Sequence, residues 1–276
     1  MELGFNGATT LKADLATDIA VAGEAGFDFV EIWAAKLIGY LDRGGLPALR
    51  RDLRRAGVKP ATLNSVEHVT FNDPSGHVRM LEDFQRLCKV AEAIACETVL
   101  VVPSPRPARA TPAVIERESV RILRQLSDIA KPYGVRLAYE FLGFADCTVN
   151  TLGQCAAIVK KVARSNVGLV LDTFHFHAGG SRLASIAEVD PRAIFMVHLN
   201  DVERAPRRKM HDALRLYPGK GVIPLGAILK RLQAIDYRGR FSVEIFRPQY
   251  WVQPPLRVAR EARAATLAVL RRAGLA

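Results

Sequence analysis

The sequence predicts an α/β protein, a (β/α)8 TIM barrel, and three observations carry that expectation. Short apolar runs alternate with helix-period segments from one end of the chain to the other. The 276 residues suit eight strand–helix units, which typically need roughly 250. Four of the apolar runs end on a side chain able to bind a metal, and strand C-termini are where barrel chemistry gathers.

Taken in order, the strand candidates are Leu3–Phe5, Phe29–Ile32, Lys59–Asn64, Thr98–Val102, Arg136–Glu140, Val167–Asp172, Ala193–His198 and Arg240–Glu244. Helix-period patterns fill the gaps; Ile115, Ile122, Leu123, Leu126, Ile129 and Ala130 make one apolar stripe. Gly26, Gly57, Gly134 and Gly239 precede strands and are placed to end helices, while Pro112 and Pro224 stand where helices begin. A doubly wound open sheet is the alternative. It would have fewer strands, and no Gly-x-Gly-x-x-Gly follows the first one. No linker or low-complexity run divides the chain, so residues 1–276 are expected to form a single domain. The stretch Val202–Pro218 reads as a long loop after the seventh strand, a place where function is often carried.

Composition narrows the classes of function. Hydrophobic residues at 49% and charged residues at 24% are the mix of a soluble globular protein. No apolar stretch reaches the roughly 20 residues of a membrane helix, and no basic-then-apolar leader follows Met1, so a cytoplasmic enzyme without membrane contacts is expected. Cys88, Cys96, Cys147 and Cys155 form no Cys-x-x-Cys pair and read as buried free thiols. The net charge of +11 raises nucleic acid as a partner. In the densest basic run, however, Leu46, Leu49, Leu53 and Ala56 recur at helical spacing, which puts Arg50, Arg51, Arg54 and Arg55 on a solvated face. No nucleic-acid partner is expected. A homo-oligomer is compatible with the sequence but not specified by it.

Glu140, Asp172, His198 and Glu244 end the fifth to eighth strand candidates. Each alone reads equally as a helix cap or a rim ion pair. In four successive strands of a closed barrel they converge, and their carboxylates would repel without a cation. Two Glu, one Asp and one His suit one divalent ion: Mn²⁺, Mg²⁺, Co²⁺ or Zn²⁺. His175, three residues past Asp172, is placed to touch substrate or to support a ligand, and Trp33, directly after the second strand, to wall the pocket.

Five further stretches stand out: Phe5-Asn6-Gly7-Ala8-Thr9-Thr10-Leu11, Cys147-Thr148-Val149-Asn150-Thr151, Asn166 through His177, Tyr217-Pro218-Gly219-Lys220-Gly221 and Ser242 through Pro248. With the four strand ends, they resemble the xylose-isomerase-like TIM-barrel superfamily of sugar isomerases and epimerases, and within it the inosose isomerase family. It implies Glu140, Asp172, His198 and Glu244 as metal ligands, with His175 beside them and Arg204 as a substrate contact. Gly7 and Lys220 stand where inosose isomerases tend to carry acidic or amide side chains, and His68 lies in a segment particular to this chain. Gly7, Lys220 and His68 are therefore expected near the pocket.

Moving a ketone along a polyol requires removing a proton beside a carbonyl. A metal that holds the carbonyl and neighbouring hydroxyl oxygens stabilises the enediolate, and two carboxylates can take and return the proton. Glu140 and Glu244 are the expected catalytic pair, and the substrate is a small polyol ketone or sugar. A lyase on the same scaffold, of the dehydroshikimate dehydratase or C-glycoside deglycosidase type, would share every ligand. A sugar-binding protein without catalysis would not need two glutamates on a metal. An AP endonuclease would need further ligands that the fourth strand, ending Val101-Val102, does not offer, although His68 could supply one.

Overall fold

In the computed structural model, which describes residues 1–276, eight parallel strands close into a barrel. The first seven are β1 (Leu3–Asn6), β2 (Phe29–Trp33), β3 (Lys59–Val66), β4 (Thr98–Val101), β5 (Arg136–Glu140), β6 (Val167–Asp172) and β7 (Ile194–His198). A separate antiparallel ribbon, β8 (Asp201–Val202) with β9 (Arg215–Leu216), interrupts the long loop after β7. The last barrel strand, β10 (Arg240–Val243), pairs with β7 on one side and β1 on the other. All eight expected strands are present, with ends shifted by a residue or two.

Helices wrap the barrel: α1 (Leu15–Ala25), α2 (Ala34–Ala56), α3 (Pro74–Ala93), α4 (Pro112–Ala130) and α5 (Leu152–Val162). A short α6 (Thr173–Ala178) and two 3₁₀ turns replace a full helix between β6 and β7; α7 (Leu225–Ala234), α8 (Pro248–Trp251) and α9 (Pro255–Arg272) complete the shell. Gly26 and Gly57 end α1 and α2 in the left-handed region, and Gly134 closes the 3₁₀ turn after α4, as the sequence predicts. Gly239 does not cap a helix. α7 stops at Ala234, and a side chain at Gly239 would run into the Tyr237 ring, so close packing explains that glycine. The four arginines of the basic run are exposed on α2, above buried Leu49 and Leu53. All four cysteines are buried and free. No helix is long and apolar enough to cross a membrane.

Two apolar layers result from the period-two alternation of strands. Outward residues join the helices in a core cluster of 68 buried residues. Inward residues form a smaller cluster of seven that includes Phe29, Leu100, Ala138, Val170 and Met196. Gly4 makes room for it: a Cβ there would lie 1.9 Å from the Phe29 ring. Below this plug, Arg240 bridges Glu2 (2.6 Å) and Glu97 (3.2 Å), and Arg136 also reaches Glu97 (3.0 Å). An open depression of about 830 Å³ lies at that end, its Arg136 and Arg240 already paired with Glu97 and Glu2. Two residues further along β2, β5, β6 and β7, the apolar plug gives way to Glu31, Glu140, Asp172 and His198.

The loop after β1 is pinned from outside the barrel. Lys36 Nζ on α2 donates to the carbonyls of Gly7 (2.8 Å) and Thr10 (2.9 Å) and pairs with Asp18 (2.6 Å) on α1. Burial pushes the Asp18 carboxyl up to about 6 despite Lys36. Replacing Lys36 with Met should strand a buried carboxylate and cost about 3–5 kcal/mol near neutral pH. Without Lys36 the carboxyl is pushed higher still and protonates above pH 6, so the cost should shrink as pH falls toward 6 and level off below it. Urea unfolding of wild type and Lys36→Met at two pH values measures both effects.

Candidate metal centre and active site

On β5, β6, β7 and β10 the inward column reaches the C-terminal rim on a polar residue, because side chains two apart share a face. Ala138 leads to Glu140, Val170 to Asp172, Met196 to His198, and Ser242 to Glu244. β6 and β7 place Asp172 and His198 directly opposite each other. One ligand atom from each of Glu140, Asp172, His198 and Glu244 lies within 4.8 Å of the others. His198 Nδ1 faces all three carboxylates, at 3.0 Å from Glu140, 3.3 Å from Glu244 and 3.8 Å from Asp172.

All four are buried, and the positive charges among them belong to His198 and Arg215. Burial pushes Glu140 up to about 8, against the pull of His198. For Asp172, burial is outweighed by Arg215, then His175 and His198, and the carboxyl stays below the usual range. His198 goes the other way: burial disfavours its charge, but Glu244, Glu31 and Glu140 hold it well above an ordinary imidazole. Three carboxylates and one imidazole at ligand spacing, short of positive charge, fit one divalent ion.

A cavity of about 270 Å³ stands over this cluster. Glu140 and Glu244 line it, whereas Asp172 and His198 do not. Trp33, His68 and His175 line it too, where the sequence placed them. A second cavity of about 550 Å³, between α2 and α3, shares Trp33, Asn64, Ser65, Glu67 and His68 with it. The expectation for Arg204 is corrected: it is exposed in the loop after β8 and is not among the lining residues. Lys220 is exposed as well and does not line the cavity. Gly7 is buried below the rim, and a Cβ there would meet Asp18 Oδ2 at 2.7 Å, so the Lys36–Asp18 pair fills that space.

The arginine of the site is Arg215, delivered by β9. Its Nη1 lies 2.8 Å from Asp172 and 3.2 Å from Glu244, and its Nε lies 2.8 Å from Asp212. The guanidinium sits over Phe174 (4.6 Å) and near Phe246 (5.2 Å), and Nη2 is 3.0 Å from His175 Nε2. Three asparagines orient ligands: Asn6 (3.0 Å) and Asn64 (2.9 Å) donate to Glu244, and Asn200 (2.7 Å) donates to Asp172. Glu31, inward on β2, lies against the far side of the His198 ring. Sequence reasoning missed these residues. A charged or amide residue at an inward strand position, as in Phe29-Val30-Glu31-Ile32, was the available signal for Glu31, Asn6 and Asn64. Arg215 had no such signal, because its placement depends on the ribbon.

A closed barrel with a buried carboxylate–imidazole cluster under a rim cavity defines the class, and the chain belongs to the xylose isomerase-like TIM barrel family, whose model matches residues 19–271. Over 253 residues the chain is 38% identical to the inosose isomerase of Halalkalibacterium halodurans, covering 91% of this chain and 90% of that protein. The crystal structure of IOLI protein with a binding zinc atom superposes with a TM-score of 0.96 at 37% identity, covering 99% of both chains. A 3-dehydroshikimate dehydratase of Pseudomonas aeruginosa is 30% identical over 89% of this chain, which spans 38% of that protein. On these similarities the chain is an isomerase-type enzyme.

Protein purified without chelator should carry one divalent ion per chain, measured by elemental analysis. His198→Gln and Asp172→Asn should fall well below one equivalent while remaining folded by circular dichroism. Full metal content in both would separate the cluster from metal binding.

Proposed function

We propose that residues 1–276 form one catalytic unit, a divalent-metal-dependent isomerase or epimerase of an inosose-type keto-polyol or ketose. Glu140, Asp172, His198 and Glu244 would hold the ion, and Glu140 and Glu244 would move the proton. The observation that carries this is the division within the cluster: only the two glutamates face the cavity, from β5 and from the end of β10, while Asp172 and His198 lie beneath. The inosose isomerase relatives and the zinc of the IOLI structure agree with it.

The bound ion would supply Lewis-acid stabilisation of negative charge on adjacent substrate oxygens. One glutamate takes the proton from the carbon beside the ketone, leaving an enediolate. Delivering it to the former carbonyl carbon, while the neighbouring hydroxyl proton passes to the former carbonyl oxygen, shifts the ketone by one position; delivery of a proton from the other glutamate, in its protonated form, to the opposite face of the original carbon inverts that centre. Asn6, Asn64 and Arg215 fix the orientation of Glu244 for the transfer. His175 accepts from Gly143 N–H at Nδ1 (3.0 Å), which leaves its proton on Nε2, facing the Arg215 guanidinium. Two donors thus converge at the cavity wall, and a substrate oxygen between them would accept from both. Burial holds His175 below the ordinary imidazole range, in its neutral form. Trp33 and His68 bound the open side.

Glu140→Gln and Glu244→Gln should each lower turnover by about 10²–10⁴-fold, the range for lost acid–base catalysis. The assay is product analysis in deuterium oxide on scyllo-inosose, dehydroshikimate and ketohexoses with added Mn²⁺. A ketone isomer or epimer with solvent deuterium beside the carbonyl is expected. Exchange followed by an unsaturated or cleaved product would instead make the chain a lyase of the dehydratase kind. Arg215→Met should impair turnover strongly, and Arg204→Ala should leave it within about 2-fold, because only the first guanidinium reaches the cavity.

A further inference from the structure

We propose that Glu31 is a positioning residue of the metal centre, gripping His198 from the side opposite the ion so that Nδ1 stays aimed at the site. The inference rests on the metal reading above and concerns a residue outside the four ligands. Glu31 is fully buried at an inward position of β2, opposite Asn6 in the register of β1. Its carboxylate oxygens lie 3.1 and 3.3 Å from His198 Nε2. The other ring nitrogen points at Glu140, Glu244 and Asp172.

The imidazole therefore spans the barrel between two acidic groups with different tasks. Nε2 carries its hydrogen toward Glu31, which leaves the Nδ1 lone pair for a cation. A carboxylate behind a ligating imidazole fixes both tautomer and ring orientation and increases its donor strength. Glu31 also reaches a second ligand. The Asn6 amide donates to Glu31 (3.2 Å) and to Glu244 (3.0 Å), tying the two carboxylates to one side chain.

A purely structural ion pair is the competing account. A buried carboxylate is costly, and a buried salt bridge is often no more stabilising than apolar residues of similar volume. Glu31 has one cationic neighbour, His198, and no arginine or lysine pairs with it. A pair kept only for stability has no reason to place the imidazole's second nitrogen among three further carboxylates.

The test uses the full chain, stripped of metal and titrated with Zn²⁺ and separately with Mn²⁺ against a competing chelator. Wild type, Glu31→Gln and Glu31→Met are compared, with Glu82→Gln, exposed on α3, as the control. Glu31→Gln should bind each ion about 10–100-fold more weakly, and Glu31→Met more weakly still. Glu82→Gln should match wild type. Urea unfolding of the metal-free proteins gives the second readout. A structural role would lower metal-free stability and leave the affinity of the folded protein unchanged. Nitrogen-15 shifts of His198 in the zinc-loaded proteins give the third, with Nε2 protonated and Nδ1 ligated in wild type. Affinities within about 3-fold of wild type in both Glu31 variants would overturn the proposal while the metal reading stands. Failure of wild type to take up either ion would overturn both.

Discussion

Four carboxylates share the dry upper half of this barrel: Glu31, Glu140, Asp172 and Glu244. Their mutual repulsion is the constraint to which the surrounding structure answers. His198 stands among all four, and Arg215 neutralises Asp172 and Glu244 from the opposite side. Asn6, Asn64 and Asn200 satisfy oxygen lone pairs without adding charge. These partners hold the geometry but do not balance the charge. A divalent cation would complete the balance, and in a low-dielectric interior that attraction is far stronger than at a surface.

The position of the polar layer follows from the apolar one beneath it. Because strand side chains alternate, the same columns that hold Phe29, Ala138, Val170 and Met196 in the plug present Glu31, Glu140, Asp172 and His198 two residues later. Residues that exclude water below therefore fix the height of the ligands above. The outward residues of these strands pack against the helices, so neither layer can slip by one residue without exchanging core for site.

This explains which parts were legible in the sequence. Local signals sufficed for the eight strands, for the glycine caps at Gly26 and Gly57, and for the rim positions of Glu140, Asp172, His198 and Glu244, because alternation and strand ends are properties of short segments. Glu31 obeys the same alternation but sits inside β2 rather than at its end, where a polar residue is easily passed over; Asn6 ends β1, but a neutral amide does not announce itself as a carboxylate does. Arg215 lies 43 residues from Asp172 along the chain, and only the folded ribbon brings them together. The family resemblance implied Arg204, six residues past His198, which the loop carries outward. Offsets along a strand survive folding; offsets across an irregular loop do not.

The ribbon of β8 and β9 is braced by its own loop and by Arg247, which donates to the carbonyls of Ala213 and Arg215 and to Glu203. Asp201 accepts from the backbone of Val202 (2.9 Å), Gly219 (3.1 Å) and Ile223 (2.9 Å), closing both ends of the excursion on one carboxylate. The segment that delivers the guanidinium is thus a braced insert, anchored at its base and independent of the barrel's hydrogen-bond ladder. Such an insert can be lengthened, shortened or recoded during divergence while the strand-borne ligands stay put. The carboxylates and the arginine that steadies two of them thus reach the site by separate routes, one along the barrel wall and the other on a looped arm.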